Sequence, residues 1–319
     1  MKNVRRRPTG SAVGVLMLAL VLVAGCGSSN KKSSPSTPAA PTRIDSQLVF
    51  GGTTECLQRP LCLGDKEQQL YGFHFKDVRK LDAGGPITSK ALKDNTIQVG
   101  LLFTGSSVID PDFVLLKDDK GLQPADNPTA LVRASKATPD VKRILDAVDA
   151  KLTIDAYNKM ATGITNDKLD AKDVAATFLK DNGLDATSTV GKGTKLKVGA
   201  VDFAGADAIS QAYGQALKAN GYDISYASPV KTREIAYPLL KNGDIDLYGE
   251  FTGSLLTYLK GESSADANQV YTALQAKLQG SGLVATTPAT AQDVNGFYVT
   301  KETASKYGLV NMSDLTKTK

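Results

Sequence analysis

The chain has no tryptophan, a single histidine (His74) and only three cysteines among its 319 residues. His74 has no second imidazole and no cysteine at ligand spacing, which argues against a metal site and gives no support to a catalytic triad. No serine or cysteine stands in a nucleophile motif such as G-x-S-x-G, and there is no P-loop. These absences argue against an enzyme, a metal site and any other cofactor.

Positive charge is scarcer than the formal net charge of +5 suggests. Four of the 38 basic residues lie within residues 1–25, which contain no acidic residue, so the remainder carries a net charge of only +1. A chain without a basic face is a poor match for phosphates, and we expect no nucleic-acid partner. With 41% hydrophobic residues, it is long enough to bury a core and to form two lobes.

The N-terminus has the pattern of an export signal. A basic head precedes an apolar run at residues 12–23, too short for a comfortable membrane span, and Cys26 follows small residues. This junction resembles the lipobox of bacterial lipoproteins, in which the cysteine becomes the lipidated first residue. We predict a signal peptide at 1–25, lipidation of Cys26 and a disordered tether at 26–44. The alternatives are an uncleaved anchor and a plain secretory peptide.

The two remaining cysteines, Cys56 and Cys62, are close in sequence and have no histidine or acidic cluster beside them. In an exported protein this spacing favours a disulfide, with two separate free thiols as the alternative. The closed loop is short, so the expected entropic gain is modest, at roughly 2 kcal/mol. Its main expected effect is to hold the local shape of the loop.

Beyond the tether, short apolar runs alternate with polar loops and helical patterns, which is typical of an α/β protein. A helix is predicted over residues 170–180, with Asp170 as its cap, and strands over 48–50, 73–78 and 97–102. Residues 185–195, DATSTVGKGTK, have the composition of a linker, and a new strand begins at Leu196.

Residues 241–259, KNGDIDLYGEFTGSLLTYL, predict a strand, a loop and a helix start. At the carboxyl end of a strand in an α/β sheet, backbone N–H groups and hydroxyls converge on small ligands. An ordinary connection between a strand and a helix is the alternative.

Several segments carry a family resemblance. VGAVDFAGADAISQAYGQALKANGYDI and KTREIAYPLLKNGDIDLYGEFTGSLLTYL resemble the first lobe of the glycine betaine, choline and carnitine binding proteins of osmoprotectant ABC transporters. FYVTKETASKYGLVNMSDL resembles the stretch by which that family's chain enters its second lobe. LVFGGTTECLQRP, LDAGGPITSKALKDNTIQVGLLFTGSS and DFVLLKDDKGLQPADNPTALVRAS resemble the family's second half, which here comes first.

The resemblance implies a two-lobed α/β fold of the type II periplasmic-binding-protein class, with a hinge and a circularly permuted order. Lobe two is expected at 45–124 plus 296–319 and lobe one at 129–292, with the linker at 185–195 joining the exchanged halves. Such a permutation needs only a short exposed linker. A structure with residues 48–50 and 197–200 in one sheet would contradict it.

The resemblance also implies a solute-binding lipoprotein that delivers a quaternary ammonium compound (glycine betaine, choline or carnitine) to an ABC permease and its ATPase. The expected protein is a monomer on the outer face of a bacterial cell membrane, touching it through its lipid anchor only. The expected ligand contacts are Glu55, Arg59, Phe103, Thr104, Asp202, Phe203, Thr232, Phe251, Thr252, Ser254, Asp293 and Asn295.

The pattern departs from the family at its aromatic cage. Phe251 and Phe103 stand where the family has other aromatics, Asn295 takes the place of a tyrosine and Val201 that of a lysine found in some relatives. A lost cation–π contact costs roughly 0.5–2 kcal/mol, so the ring count bears on affinity. The open alternatives are a polyol or another hydroxylated solute, and an interaction lipoprotein that keeps the fold without transport.

Overall fold

The computed structural model describes residues 41–319 except 83 and 203, and the side chains of residues 54, 55 and 204 are also outside the description. The described residues form ten strands and ten α-helices. In chain order the strands are β1 (Val49–Gly52), β2 (Asp77–Lys80), β3 (Val99–Phe103), β4 (Phe113–Leu115), β5 (Pro128–Arg133), β6 (Lys195–Val198), β7 (Asp223–Tyr226), β8 (Leu247–Phe251), β9 (Leu283–Ala285) and β10 (Asn295–Thr300).

The helices alternate with these strands along most of the chain. They are α1 (Asp65–Leu70), α2 (Pro86–Lys93), α3 (Pro139–Asp149), α4 (Ile154–Thr165), α5 (Ala171–Asp181), α6 (Ala204–Ala219), α7 (Arg233–Asn242), α8 (Thr252–Tyr258), α9 (Ala267–Leu278) and α10 (Lys301–Tyr307). None of the helices in the described part of the chain is long and apolar enough to cross a membrane.

The strands form two five-stranded sheets built on the same plan. One sheet has the order β2-β1-β3-β10-β4 and the other β7-β6-β8-β5-β9. In each, three parallel strands are followed by a strand that runs antiparallel to its neighbours, β10 in one and β5 in the other. We call the body around the second sheet lobe one and the other lobe two. The α/β class and the two-sheet architecture agree with the sequence-based prediction.

The chain passes between the sheets at two short crossings. Residues 123–127 lead from lobe two into β5, and residues 292–294 lead from lobe one into β10. Because β1 and β6 lie in different sheets, the arrangement that would contradict a permuted order is absent from the described strands. The bounds predicted for the two lobes stay a prediction.

Each sheet is covered by apolar clusters on both faces. In lobe one, helices α3 to α6 bury Val148, Phe178 and Tyr213 on one face, and α7 to α9 bury Leu240 and Leu274 on the other. In lobe two the corresponding clusters are organised around Phe297 and around Leu92. The inner parallel strands β3 and β8 are buried along almost their whole length, so their carboxyl ends can present side chains in fixed positions to the space between the lobes.

Two local predictions differ from the structure. Residues 73–76 are not a strand; Phe73 and Phe75 instead pack against Phe50 or Phe297, with ring centroids 5.1–5.8 Å apart. Asp170 does occupy the N-cap position of α5, but its side chain makes no capping hydrogen bond. The apolar alternation therefore reflects an aromatic cluster rather than a ladder of backbone hydrogen bonds.

Candidate functional site

A cavity of about 560 Å³ lies between the lobes, lined by residues of both. Lobe two contributes Phe103, Gly105, Ser106 and Ser107 after β3, while lobe one contributes residues of α4, α6, α7, β8 and α8. The lobes touch beside it, because the Thr165 hydroxyl donates to Ser107 Oγ over 2.6 Å. The carboxyl ends of β3 and β8 thus meet at one cleft.

Three aromatic rings stand on the cavity wall. Phe251, at the tip of β8, meets Tyr157 of α4 edge to face, with centroids 6.2 Å apart and an angle of 81° between the planes. Phe103 contributes the third ring from the end of β3. A Cβ at Gly105 would come within 2.2 Å of the Tyr157 ring, so glycine is required for this close approach. Together the rings offer apolar, weakly negative faces of the kind that attract cations.

Asp126 brings a carboxylate to the cavity from the first crossing. Its Oδ1 accepts hydrogen bonds from the backbone N–H groups of Gly253 and Ser254 at 2.8 and 2.9 Å, and the Ser254 hydroxyl donates to Oδ2. Removal from bulk water raises the pKa of Asp126 to about 6, in spite of these donors. The carboxylate is therefore held in place while remaining poorly solvated.

Asp293 brings a second carboxylate from the other crossing, and it connects the two lobes. Its Oδ1 accepts from the Gly105 N–H of lobe two at 3.1 Å, and its Oδ2 accepts from the Tyr157 hydroxyl of lobe one at 3.3 Å. Burial raises the pKa of Asp293 and also that of Tyr157, which stays protonated and able to donate. A ligand that changes the Asp293 environment would act on contacts to both lobes.

Arg233 and Glu250 form a two-point ion pair on the same wall. Arg233 Nε donates to Glu250 Oε1 at 2.5 Å and Nη2 donates to Oε2 at 2.8 Å. Glu250 is only 2% exposed and also accepts from the Tyr248 hydroxyl and from the Phe251 N–H. The guanidinium charge is thus already matched by a buried carboxylate.

The charges on the cavity wall do not cancel. Among the described lining residues there are three carboxylates, Asp126, Glu250 and Asp293, and a single cation, Arg233. No ion pair within the described residues involves Asp126 or Asp293. With Glu250 paired to Arg233, two carboxylates are left to face whatever enters.

The predicted ligand contacts are only partly brought together. Phe103, Phe251, Ser254 and Asp293 line the cavity. Thr104 and Thr252 lie at the same strand ends, but their hydroxyls bond to the crossings: Thr104 donates to the Gln292 carbonyl at 2.7 Å, and Thr252 accepts from the Asn127 N–H at 3.1 Å. The binding role of each of these residues stays a prediction.

The other predicted contacts lie away from the cavity lining or outside the description. Asn295 donates its side-chain N–H to Gln123 at 3.1 Å and so joins the two crossings. Asp202 is exposed and pairs with Lys231, and Thr232 and Arg59 are also exposed. The residues that lie outside the described structure are Cys26, Phe203 and the side chain of Glu55.

The predicted disulfide between Cys56 and Cys62 is present, with the two Cα atoms 5.2 Å apart. The loop that it closes carries Leu61, whose carbonyl accepts from Gln123 Nε2 at 2.7 Å. Because Gln123 also accepts from Asn295, the cross-linked loop is connected to both crossings. The disulfide therefore shapes the surroundings of the hinge.

The charged and aromatic lining residues that were not predicted as contacts are Asp126, Tyr157, Arg233 and Glu250. Arg233 pairs with the buried Glu250, 17 residues away, and not with its exposed neighbour Glu234. For Asp126 the sequence held one signal, which is a lone acidic residue between Pro124 and Pro128 in a segment that connects the lobes. Within the described residues no group of three or more His, Cys, Asp or Glu side chains could hold a metal ion.

Comparison with known families gives one extensive match. A sequence model of the substrate-binding domain of ABC-type glycine betaine transport systems matches residues 36–181 and 194–319. The unmatched gap between these two segments overlaps the linker predicted at 185–195. No curated protein matches the sequence.

Solved structures resemble the chain only distantly. An ancestral arginine-binding protein bound to arginine is 12% identical over 85% of this chain and 92% of its own, with a TM-score of 0.33. A Bacillus subtilis protein is 11% identical over 84% and 83%, with a TM-score of 0.41. NikA from Brucella suis, in complex with Fe(III)-EDTA, is 14% identical over 76% and 61%, with a TM-score of 0.38. These scores carry no information about the ligand of this chain.

Proposed function

The chain belongs to the family of substrate-binding domains of ABC-type glycine betaine transport systems, and we propose that it captures an organic cation with a quaternary ammonium head for an ABC importer. Proteins of this family bind small solutes outside the cytoplasm and work with a permease and an ATPase; they are not enzymes. What needs to be argued for this chain is the chemistry of its solute.

The combination of rings and unpaired carboxylates on one wall carries the proposal. Phe251, Tyr157 and Phe103 supply faces for a methylated ammonium group, which cannot donate hydrogen bonds and is bound by cation–π attraction and close contact. Asp126 and Asp293 supply negative charge in a poorly solvated space, where Coulomb attraction is stronger than in water. A cation gains from both groups at once.

The same wall favours choline over glycine betaine or carnitine. The carboxylate of a zwitterion needs a cationic or N–H partner, and the guanidinium of Arg233 is already bonded at two points to Glu250. Two further carboxylates would repel it. We therefore expect a solute with a positive head and no carboxylate to bind best.

The N-terminal segment completes the proposal. We propose that residues 1–25 act as a lipoprotein signal peptide, that Cys26 carries the lipid and that residues 26–41 tether a monomer to the outer face of the cell membrane. The tether predicted from sequence extended to residue 44, but Arg43 forms a β-bridge with Thr318, and the buried Ile44 donates its N–H to the Lys317 carbonyl. We further propose that the two matched segments are the family's halves in exchanged order, joined at 185–195.

Hydroxyl groups on the wall favour a second candidate, an uncharged polyol. Ser106, Ser107 and Ser254 line the cavity, and hydroxyls both donate and accept. A polyol gains nothing from the net negative charge, which is why it ranks second.

Isothermal calorimetry with a panel of solutes tests the proposed function. We expect saturable binding of choline at neutral pH, weaker binding of glycine betaine and carnitine, and none of mannitol or sorbitol. Binding of a polyol alone would replace the first candidate by the second. If none of the solutes bound, the result would favour an interaction lipoprotein that does not transport.

Replacing Phe251 by Leu is expected to weaken choline binding by about tenfold, because an apolar volume is kept while a desolvated cation–π contact worth up to about 2 kcal/mol is lost. Phe178→Leu is the matched control, since Phe178 is a buried phenylalanine of lobe one that does not line the cavity. Calorimetry should show the loss only for Phe251→Leu. Equal affinities for the two variants would remove the Phe251 ring from the site.

A further inference from the structure

A second recess of about 390 Å³ adjoins the ligand cavity. Three residues, Asp126, Arg233 and Ser254, line both spaces. The remaining wall of the recess comes from the crossing and from α7 and α8 of lobe one, with Leu61 of the disulfide-closed loop of lobe two. These three residues are therefore the common boundary of the two spaces.

The shared side chains are positioned by contacts that leave part of their hydrogen-bonding capacity free. Asp126 is held by Gly253 and Ser254, which occupy both acceptor sites of Oδ1 and one of Oδ2, so that Oδ2 can accept one further bond. Arg233 uses Nε and Nη2 on Glu250, and its Nη1 donates to no group among the described residues. One acceptor and one donor are thus available at the boundary between the two spaces.

The far side of the recess has an aromatic ring and a hydroxyl. Tyr258 is half-buried and held edge to face by Tyr237, with ring centroids 5.3 Å apart. Thr257 beside it is exposed, and its hydroxyl donates to the Gly253 carbonyl and can accept another bond. A fixed ring together with a carboxylate, a guanidinium N–H and a hydroxyl suits a group with apolar C–H faces and several hydroxyls.

Charge decides against an anionic group in the recess. Asp126 and the exposed Glu234 both line it, while the charge of Arg233 is already balanced by Glu250. The net negative charge of the recess would repel a carboxylate or a phosphate, whereas it would not repel a neutral hydroxylated group.

We infer that the physiological solute is a quaternary ammonium compound carrying an uncharged, hydroxylated arm, and that the arm occupies the recess between Arg233 and Tyr258. The inference rests on the proposed function, since it places the ammonium head in the ring-lined cavity. It adds a second subsite, with Asp126 and Arg233 at its boundary and Thr257 and Tyr258 at its far side.

Calorimetry with three probes tests the inference: choline, a choline O-glycoside as the armed compound, and the matching methyl glycoside as the arm alone. We expect the armed compound to bind about tenfold more tightly than choline, corresponding to one good additional contact, and the methyl glycoside not to bind measurably. Thr257→Phe, at an exposed position, fills the recess and should return the armed compound to the affinity of choline or below while leaving choline unchanged. Tyr258→Ala should remove most of the gain as well.

The control for Tyr258→Ala is Tyr226→Ala, a partly exposed tyrosine of lobe one that lines neither space. Equal affinities of choline and the armed compound, or a gain that survives Thr257→Phe, would overturn the second subsite and leave the proposed function intact. Failure of both choline and the armed compound to bind would instead overturn the proposed function, and the inference with it.

Discussion

Substitution of Asp126 by Asn is expected to lower the affinity for a quaternary ammonium cation by about a hundredfold. A cation about 4 Å from a carboxylate gains up to about 4 kcal/mol at an effective dielectric constant near 20. Part of that gain is offset by desolvation, which leaves about 2–3 kcal/mol, or roughly two decades in Kd. The amide keeps the shape of the side chain and can still accept from Gly253 and Ser254.

The same substitution is expected to stabilise the empty protein. In the folded state the pKa of Asp126 is raised to about 6, so between its ordinary pKa and 6 the folded state binds more protons than the unfolded state. The free energy of unfolding of the wild type therefore falls as pH rises through this window, by about 3 kcal/mol. The uncharged amide of the Asp126→Asn variant would not carry this cost, so the variant should be more stable at pH 7 and should lose this part of the pH dependence.

Binding and stability thus respond to pH in opposite directions. Choline binding by the wild type should weaken below pH 6, as Asp126 becomes protonated, whereas the Asp126→Asn variant should bind weakly at every pH. Calorimetry between pH 5 and pH 8 measures the change in binding, and urea unfolding between pH 4 and pH 8 measures the change in stability. Asp244→Asn removes an exposed carboxylate outside the cavity and should change neither. Undiminished affinity of Asp126→Asn at pH 7 would show that Asp126 does not attract the ligand.

Local patterns identified the strands that end at the cavity. The apolar residues before Gly249 predict a strand, and the polar break after it predicts a loop that holds Phe251. In the structure the strand continues to Phe251 and α8 begins directly at Thr252, so Phe251 lines the cavity from the tip of the strand and not from a loop. Phe103 at the end of β3 follows from the same reasoning. Strand ends are visible in sequence because both the apolar run and its interruption lie within a few residues.

The remaining part of the cavity wall depends on contacts between distant residues. Tyr157 lies in a helix whose apolar spacing indicates only scaffold, and it reaches the cavity because α4 packs against α6 and its hydroxyl meets Asp293, 136 residues away. Asp126 is brought to Ser254 by the crossing, 128 residues apart in sequence. Periodicity carries no information at such separations, so neither carboxylate environment could be derived from it.

The threonines at the strand ends are a second example of what the sequence could not predict. Thr104 and Thr252 were expected as ligand contacts from the family resemblance. Their hydroxyls bond instead to Gln292 and to Asn127, in or beside the crossings. A hydroxyl at a strand end has several possible partners, and only the three-dimensional path of the chain decides which one it meets.

Substitution of Arg233 by Met is expected to give the largest loss of stability among the single changes considered, about 3–5 kcal/mol. Glu250 is 2% exposed, and without Arg233 its charge would keep only the Tyr248 hydroxyl and the Phe251 N–H as partners. An uncompensated buried carboxylate is far more costly than a missing ion pair. Urea unfolding at pH 7 measures the loss as a shift of the midpoint at constant slope.

A double variant separates this mechanism from a simple loss of packing. Adding Glu250→Gln to Arg233→Met removes the orphaned charge, so most of the lost stability should return, and a double-mutant cycle should give a coupling free energy of about 2 kcal/mol or more. Arg133→Met is the matched control: Arg133 meets Asp246 through one contact at 3.2 Å, with the carboxylate more exposed, and its removal should cost about 1 kcal/mol. If the double variant were no more stable than Arg233→Met alone, the ion pair would not be what stabilises this wall. The assignment of Arg233 as the counter-charge of Glu250 would then be wrong. The preference for a solute without a carboxylate depends on that assignment and would be lost with it.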